Sequence, residues 1–66
     1  MAVKLSSVQA GDVLFYPLAG RPGEYYEIHV KSVDHEKGTA VISLNGREHV
    51  ARQTNFNCYR RSRPHR

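Results

Sequence analysis

Polar and apolar residues alternate along three short stretches in the middle of the chain. In the first stretch, Tyr26, Ile28 and Val30 alternate with Glu27 and other polar neighbours. A period of two places one set of side chains on a buried face and the other set in water, so each stretch is predicted to be a β-strand. The three predicted strands are residues 25–33, 40–44 and 47–52.

Two turn signals join these strands into an antiparallel meander. Asn45-Gly46 is typical of a type I′ hairpin turn, which needs a positive φ at both central residues. The longer polar segment 34–38 ends on Gly38, which adopts a positive φ without steric cost. The alternation slips between Val30 and Val33, which are three residues apart. This slip predicts a β-bulge, a device that lets a small sheet bend and close.

The residues on either side of the meander complete the predicted fold. Val13–Tyr16 is apolar on both faces and is predicted to be the first strand, ended by Pro17, which has no N–H for a sheet. After the meander, residues 53–55 suit a single 3₁₀ turn, and residues 56–59 are predicted to form a last strand. Five short strands predict an all-β fold, a small SH3-like antiparallel barrel over residues 1–59. An OB-type barrel is less favoured because its strands are longer.

Three short motifs follow one another in a fixed order. Gly11-Asp12-Val13 precedes the first strand, and Tyr25-Tyr26-Glu27-Ile28 opens the second, which ends in Ser32-Val33-Asp34. The third motif, Val41 to Glu48, spans the end of strand three and its turn. In order and spacing these motifs resemble the Tudor domain family, in particular the Tudor-type module of lamin B receptor. The resemblance covers residues 11–56 and implies a Tudor-like barrel.

The Tudor resemblance also implies an activity, the reading of methylated lysine or arginine. An aromatic cage attracts the methylated cation to the faces of its rings. Tyr26 stands at the family's wall position in strand two, whereas Leu18, Leu44 and Asn45 stand where the family usually has aromatic residues. The implied cage is therefore incomplete. The aromatic residues that would have to substitute are Phe15, Tyr16 and Tyr25.

The length and the cysteine content limit the possible classes of protein. Sixty-six residues form one domain at most. Cys58 is the single cysteine, which excludes an intrachain disulfide and a metal site built on several thiolates. A lone thiol suits a reducing compartment, so an intracellular location, cytoplasmic or nuclear, is expected. No apolar run approaches the ~20 residues that cross a bilayer, so no membrane insertion is expected.

Residues that could carry catalysis or bind a metal are few and scattered. His29 and His49 face the same side of neighbouring predicted strands, but two histidines fall short of the three or four ligands of a zinc site. No motif around Cys58 marks it as a nucleophile, and no glycine-rich phosphate loop precedes a helix. We therefore expect no enzymatic activity, no metal and no cofactor.

The formal net charge of +4 favours an anionic partner. Four of the ten Lys and Arg residues lie within 60–66, which is predicted to be a disordered basic tail, and the rest of the chain is close to neutral. A basic arm of this kind condenses on phosphates. A solvated end that aids solubility is the alternative interpretation of the same residues.

Basic side chains and aromatic rings together predict a binding module for DNA or RNA, or for a nucleic-acid-associated protein. Cations would contact phosphates and aromatic rings would stack on bases. The alternative is a Tudor-type protein-interaction module that reads a peptide or a methylated histone tail. The oligomeric state stays open. The predicted nucleic-acid-binding residues are Arg21, Lys31, Arg47, Arg52, Arg60, Arg61, Arg63 and Arg66. The predicted aromatic surface consists of Phe15, Tyr16, Tyr25 and Tyr26.

Overall fold

Four antiparallel strands form one open sheet in the order β1-β2-β3-β4. The structure, a computed structural model, describes residues 3–63 of the chain. The expectation of a β-rich, compact fold is confirmed, while the strand count is smaller than predicted. The strands are β1 (Val13–Pro17), β2 (Tyr25–Asp34), β3 (Thr39–Leu44) and β4 (Arg47–Arg52), preceded by a 3₁₀ turn (Leu5–Ser7) and followed by α1 (Gln53–Phe56).

Both predicted turns of the meander are confirmed. Asn45 has a φ of 52° and Gly46 a φ of 77°, and Leu44 pairs with Arg47 across them, as a two-residue type I′ turn requires. Gly38 has a φ of 67° at the end of the β2–β3 turn. The carboxylate of Asp34 holds the start of that turn by accepting two backbone N–H groups, those of Glu36 and Lys37, each at 3.1 Å.

The predicted β-bulge lies in β2 at Lys31. Val30 pairs with Ile42, and the next pair is Ser32 with Val41, so Lys31 is an extra residue in β2. Two residues of β2 then oppose one residue of β3, which bends the strand. Val33 packs against the core as a result, although it is three residues away from the buried Val30.

One face of the sheet, here called the inner face, carries the core. Its buried side chains include Leu14, Ile28 and Ile42. The segments at both ends of the described chain cover this face with their own buried side chains. Gln53 links the two segments, because its side chain accepts the Leu5 N–H at 2.7 Å and donates to the Val3 carbonyl at 2.9 Å. The buried residues of the covering segments are Val3, Leu5, Val8, Phe56 and Tyr59.

The predicted fifth strand over residues 56–59 is absent from the described part of the chain. The backbone there stays helical, because the N–H groups of Asn57, Cys58 and Tyr59 donate back to carbonyls three or four residues earlier. A single antiparallel bridge follows, in which Arg60 exchanges two hydrogen bonds with Phe15 at 2.7 and 2.8 Å. Cys58, expected to be a small core residue, is exposed.

Residues 60–63, at the start of the predicted basic tail, contact the body of the protein. Arg60, through this bridge, holds the chain against β1 beyond residue 59. Arg61 and Arg63 likewise contact the sheet or its covering segments. Within residues 3–63, no helix has the length and apolar character needed to span a membrane.

Candidate functional site

Tyr16 and Tyr26 lie side by side on the inner face, beyond the buried core. They are directly opposite each other in the β1–β2 ladder, with ring centroids 6.3 Å apart. Tyr16 is 39% exposed and Tyr26 is 38% exposed, so each ring keeps part of its surface in water. Tyr59 approaches Tyr16 from the C-terminal segment, with ring centroids 6.0 Å apart. Three tyrosine rings thus meet at one end of the inner face.

A hollow of about 310 Å³ opens beside these rings, and is here called the tyrosine hollow. Apolar side chains from β3 and β4 contribute to its wall, while His49 and Asn55 add polar atoms. The sequence does not assign Tyr59 or His49 to a binding site, because neither has a local signal that links it to Tyr16. The hollow is lined by Tyr16, Ile42, Leu44, His49, Val50, Ala51, Asn55 and Tyr59.

The charges around the tyrosine hollow are neutral to positive. Among the described residues, none that lines the hollow is Asp or Glu. Alternation along β4 places Arg47 on the same side of the sheet as His49 and the buried Ala51. The same alternation puts Glu48 on the opposite, outer face. An anionic group in the hollow would therefore contact His49, with Arg47 on the same side of the sheet and no carboxylate among the lining residues to repel it.

Burial raises the pKa of the Tyr59 hydroxyl above its ordinary value of 10.0, and the neighbouring Cys58 and Tyr16 raise it further. Desolvation disfavours the phenolate, and nearby groups that ionise to anions disfavour it again. Tyr59 is therefore a neutral ring with a hydroxyl group at neutral pH. It adds no charge to the hollow.

Phe15 and Tyr25 lie on the outer face of the sheet, away from the hollow. Phe15 is only 9% exposed, so its place in the predicted aromatic surface is corrected. The rings of Phe15 and Tyr25 pack edge to face with their centroids 5.2 Å apart. The Arg63 guanidinium lies 6.0 Å from the centroid of the Phe15 ring. The predicted group of four aromatic residues is thus divided between two faces. Only Tyr16 and Tyr26 belong to the candidate site.

Arg60 and Arg61 are held by the body of the protein. The Arg60 guanidinium donates to the carbonyls of Asn57 and Tyr59, at 3.2 and 2.9 Å. The Arg61 guanidinium donates to the carbonyl and hydroxyl of Ser7, each at 3.0 Å, and lies 3.7 Å from the Asp12 carboxylate. These contacts place part of the predicted tail in structural roles. Arg66 lies outside the described residues.

The other predicted basic residues do not form one patch. Arg21 is in the β1–β2 loop, 3.9 Å from the Glu24 carboxylate. Lys31 is at the bulge of β2. Arg47 and Arg52 are both exposed but on opposite faces of β4, as their odd separation in the sequence indicates. Only Arg47 shares a side of the sheet with the tyrosine hollow.

Two further features could suggest other chemistry. Within residues 3–63 no three His, Cys, Asp or Glu side chains are grouped as metal ligands, and His29 has a single carboxylate neighbour, Glu27, at 3.7 Å. A wider groove of about 890 Å³ lies at the opposite end of the inner face. Apart from the imidazole of His35, its lining has no aromatic ring. The groove is lined by Lys4, Leu5, Ser6, His35, Gly38, Gln53 and Asn57.

No known protein family, curated protein or solved structure was found to match the chain. The side chains of the tyrosine hollow are therefore the basis for its chemistry. Exposed tyrosine faces stack on flat rings, an arginine binds phosphate or carboxylate, and Asn55 and His49 offer hydrogen bonds. These groups could hold a ligand by stacking, hydrogen bonds and charge.

Proposed function

We propose that the chain is a non-enzymatic binding module whose tyrosine hollow holds a single-stranded stretch of DNA or RNA. The observation that carries this proposal is the pair of half-exposed rings, Tyr16 and Tyr26, beside a hollow without carboxylates in its lining. Bases would stack on the two rings, and the adjoining phosphate would lie near Arg47. The tyrosine hollow, with a volume of about 310 Å³, suits a few nucleotides at most.

The expected strength of this contact follows from base stacking. Stacking of one base on an aromatic side chain contributes about 1–3 kcal/mol, and it tolerates any base because every base has a π-face. Tyr16 and Tyr26 offer two such surfaces in direct contact with each other. With one arginine on the same side of the sheet, the electrostatic contribution is small, so stacking should supply most of the affinity.

A Tudor-type reader of methylated peptides is the second candidate function. The clustering of Tyr16, Tyr26 and Tyr59 favours it, because two rings that line the hollow and a third that packs on Tyr16 resemble part of an aromatic cage. The sign of the local charge favours nucleic acid instead. A methylated lysine is a cation, and it would meet Arg47 and His49 without a lining carboxylate to attract it.

We further infer that the sheet is part of an SH3-like, Tudor-like barrel. The bridge between Phe15 and Arg60 supports this inference, because it brings the chain that follows β4 and α1 back to the free side of β1. In a five-stranded small barrel, the last strand occupies this position. The single bridge would be the shortest form of that strand.

Two adjacent tyrosines provide a matched test of the proposed function. Tyr26→Ala removes the half-exposed ring that packs on Tyr16 beside the hollow, whereas Tyr25→Ala removes the neighbouring ring on the outer face. Fluorescence anisotropy with labelled oligo-dT and oligo-U at low salt would measure both variants against the unmodified chain. We expect Tyr26→Ala to weaken binding about 5- to 100-fold, the loss of one stacked base, and Tyr25→Ala to leave the affinity unchanged. Thermal unfolding checks that both variants are folded.

Three results would decide against nucleic acid. These are no binding of either oligonucleotide at low salt, equal losses in the two variants, and amide shift changes confined to the outer face. A parallel titration with methylated and unmethylated histone-tail peptides covers the second candidate. Shifts at Tyr16, Tyr26 and Tyr59 with methylated peptide alone would favour the Tudor-type reader.

A further inference from the structure

Strand β4 forms an open edge of the sheet. It is last in the strand order, and within residues 3–63 no strand pairs with its outer side. The two-residue turn makes Leu44 and Arg47 a hydrogen-bonded pair. From Arg47 onward, the N–H and C=O groups of successive residues in β4 therefore point alternately toward β3 and away from it. Residues 47, 49 and 51 therefore point their N–H and C=O groups toward β3, and residues 48, 50 and 52 point theirs outward.

The hydrogen bonds along β4 agree with this alternation. The outward N–H of Arg52 donates to the side-chain oxygen of Asn55 at 3.0 Å, which occupies one end of the edge. No group within residues 3–63 hydrogen-bonds to the outward N–H and C=O of Val50. An unpaired donor and acceptor on an exposed edge strand can pair with another strand.

The side chains above this edge form a self-complementary series. Glu48, Val50 and Arg52 share the outer face, and Val50 is 70% exposed. In an antiparallel pair of β4 strands with Val50 opposite Val50, Glu48 of each copy would face Arg52 of the other copy. Within its own chain each charged residue faces a neutral one, because Glu48 pairs with Ser43 and Arg52 with Thr39. Both charges are therefore free to pair between copies.

We propose that two copies of this chain associate through β4, antiparallel and in the register centred on Val50. Each Val50 donates its N–H to the carbonyl of the other Val50, and two Glu48–Arg52 pairs flank this centre. A register centred on Glu48 would place Glu48 opposite Glu48, and one centred on Arg52 would place Arg52 opposite Arg52, so like charges disfavour both alternatives. The result is one continuous sheet of eight strands with both tyrosine hollows on the same side.

The short edge makes this association weak and dependent on concentration. Only a few residues of each copy take part, and interfaces of that size belong to the transient class. Sedimentation of the full chain over about 10 μM to 1 mM covers the range of such affinities. A reductant is needed throughout, because Cys58 is exposed and could form a disulfide between copies.

A charge exchange across the edge tests the proposal. Glu48→Arg places Arg opposite Arg52, and Arg52→Glu places Glu opposite Glu48, so each single variant should raise the dissociation constant about tenfold. The double variant with both substitutions restores opposite charges in the same register. It should therefore recover the dissociation constant of the unmodified chain. Circular dichroism confirms that each variant is folded.

The proposal fails if the unmodified chain sediments as a monomer at every concentration. It also fails if the chain self-associates but the charge exchange has no effect, or if amide shifts change on dilution outside residues 48–52. Val50→Asp is a second variant in case a charge exchange affects folding. Val50 is mostly in water, so the substitution is compatible with the fold, yet it brings two carboxylates together at the centre of the pair. It should abolish association.

Discussion

Tyr59 shows how the role of one residue depends on its neighbours. It is a buried core residue, and its ring also packs against Tyr16 at the rim of the hollow. The sequence places Tyr59 in a predicted last strand and predicts neither role. The second role requires the C-terminal segment to cross the sheet and approach β1.

The raised pKa of Tyr59 makes the stability of the fold sensitive to alkaline pH. Because burial raises the pKa in the folded state above its value in the unfolded chain, the contribution of Tyr59 is complete below pH 10.0 and decreases as the pH rises through the folded-state pKa. In the Tyr59→Phe variant, the side chain at this position has no hydroxyl group and cannot ionise. The stability difference between wild type and this variant, measured by urea unfolding, should therefore shift in favour of the variant between pH 8 and pH 11. An unchanged difference would contradict the raised pKa.

Arg47 and Arg52 differ in their position relative to the proposed site although both are exposed arginines on one strand. Alternation along β4 was sufficient to predict that they lie on opposite faces. The sequence did not indicate which of the two faces carries the hollow. The positions of Tyr16, His49 and Tyr59 put the hollow, and with it the proposed site, on the side of Arg47.

The C-terminal segment is the element that departs most from prediction. Its arginines were expected to form a mobile arm, because a run of basic residues with a proline has no periodic pattern. In the structure, Arg60 pairs with Phe15 in the sheet, and Arg61 contacts Ser7 and Asp12. These partners are far away in the sequence, and no local pattern specifies them.

Truncation separates the structural part of this segment from the rest of it. Deleting residues 60–66 removes two backbone hydrogen bonds to Phe15, each contributing about 0.5–1.5 kcal/mol. We expect this deletion to reduce the free energy of unfolding by about 1–3 kcal/mol, a large share of the stability of a small domain. Deletion of residues 64–66 keeps all described contacts and is the control. Equal urea midpoints for the two truncated chains would contradict a structural role for Arg60–Arg63.

The charge of the whole molecule is distributed over several surfaces. The net charge of +4 suggested an anionic partner, held mainly by the basic residues of the predicted tail. The guanidinium groups of Arg60 and Arg61 donate to backbone carbonyl groups of the protein. Arg47 and Arg52 lie on opposite faces of the sheet. Binding at the tyrosine hollow should therefore depend on few phosphate contacts.

A salt series measures this number of contacts directly. For single-stranded nucleic acid, the slope of log affinity against log salt concentration is about −0.7 for each phosphate that is neutralised. Arg47→Ala should make the slope shallower by about 0.7, whereas Arg52→Ala should leave it unchanged. A steep slope that both substitutions reduce equally would mean that binding uses a diffuse basic surface, and not the hollow.

The sequence by itself determined the local geometry of the meander. Strand periodicity, the Asn45-Gly46 turn and the bulge at Lys31 depend on the backbone preferences of adjacent residues, so a pattern of a few residues predicts them. The tertiary structure decided which aromatic rings lie beside the hollow. It also decided which arginine side chains form hydrogen bonds or ion pairs within the protein. Those outcomes depend on contacts between distant segments, such as Tyr16 with Tyr59 and Phe15 with Arg60, which no short pattern encodes.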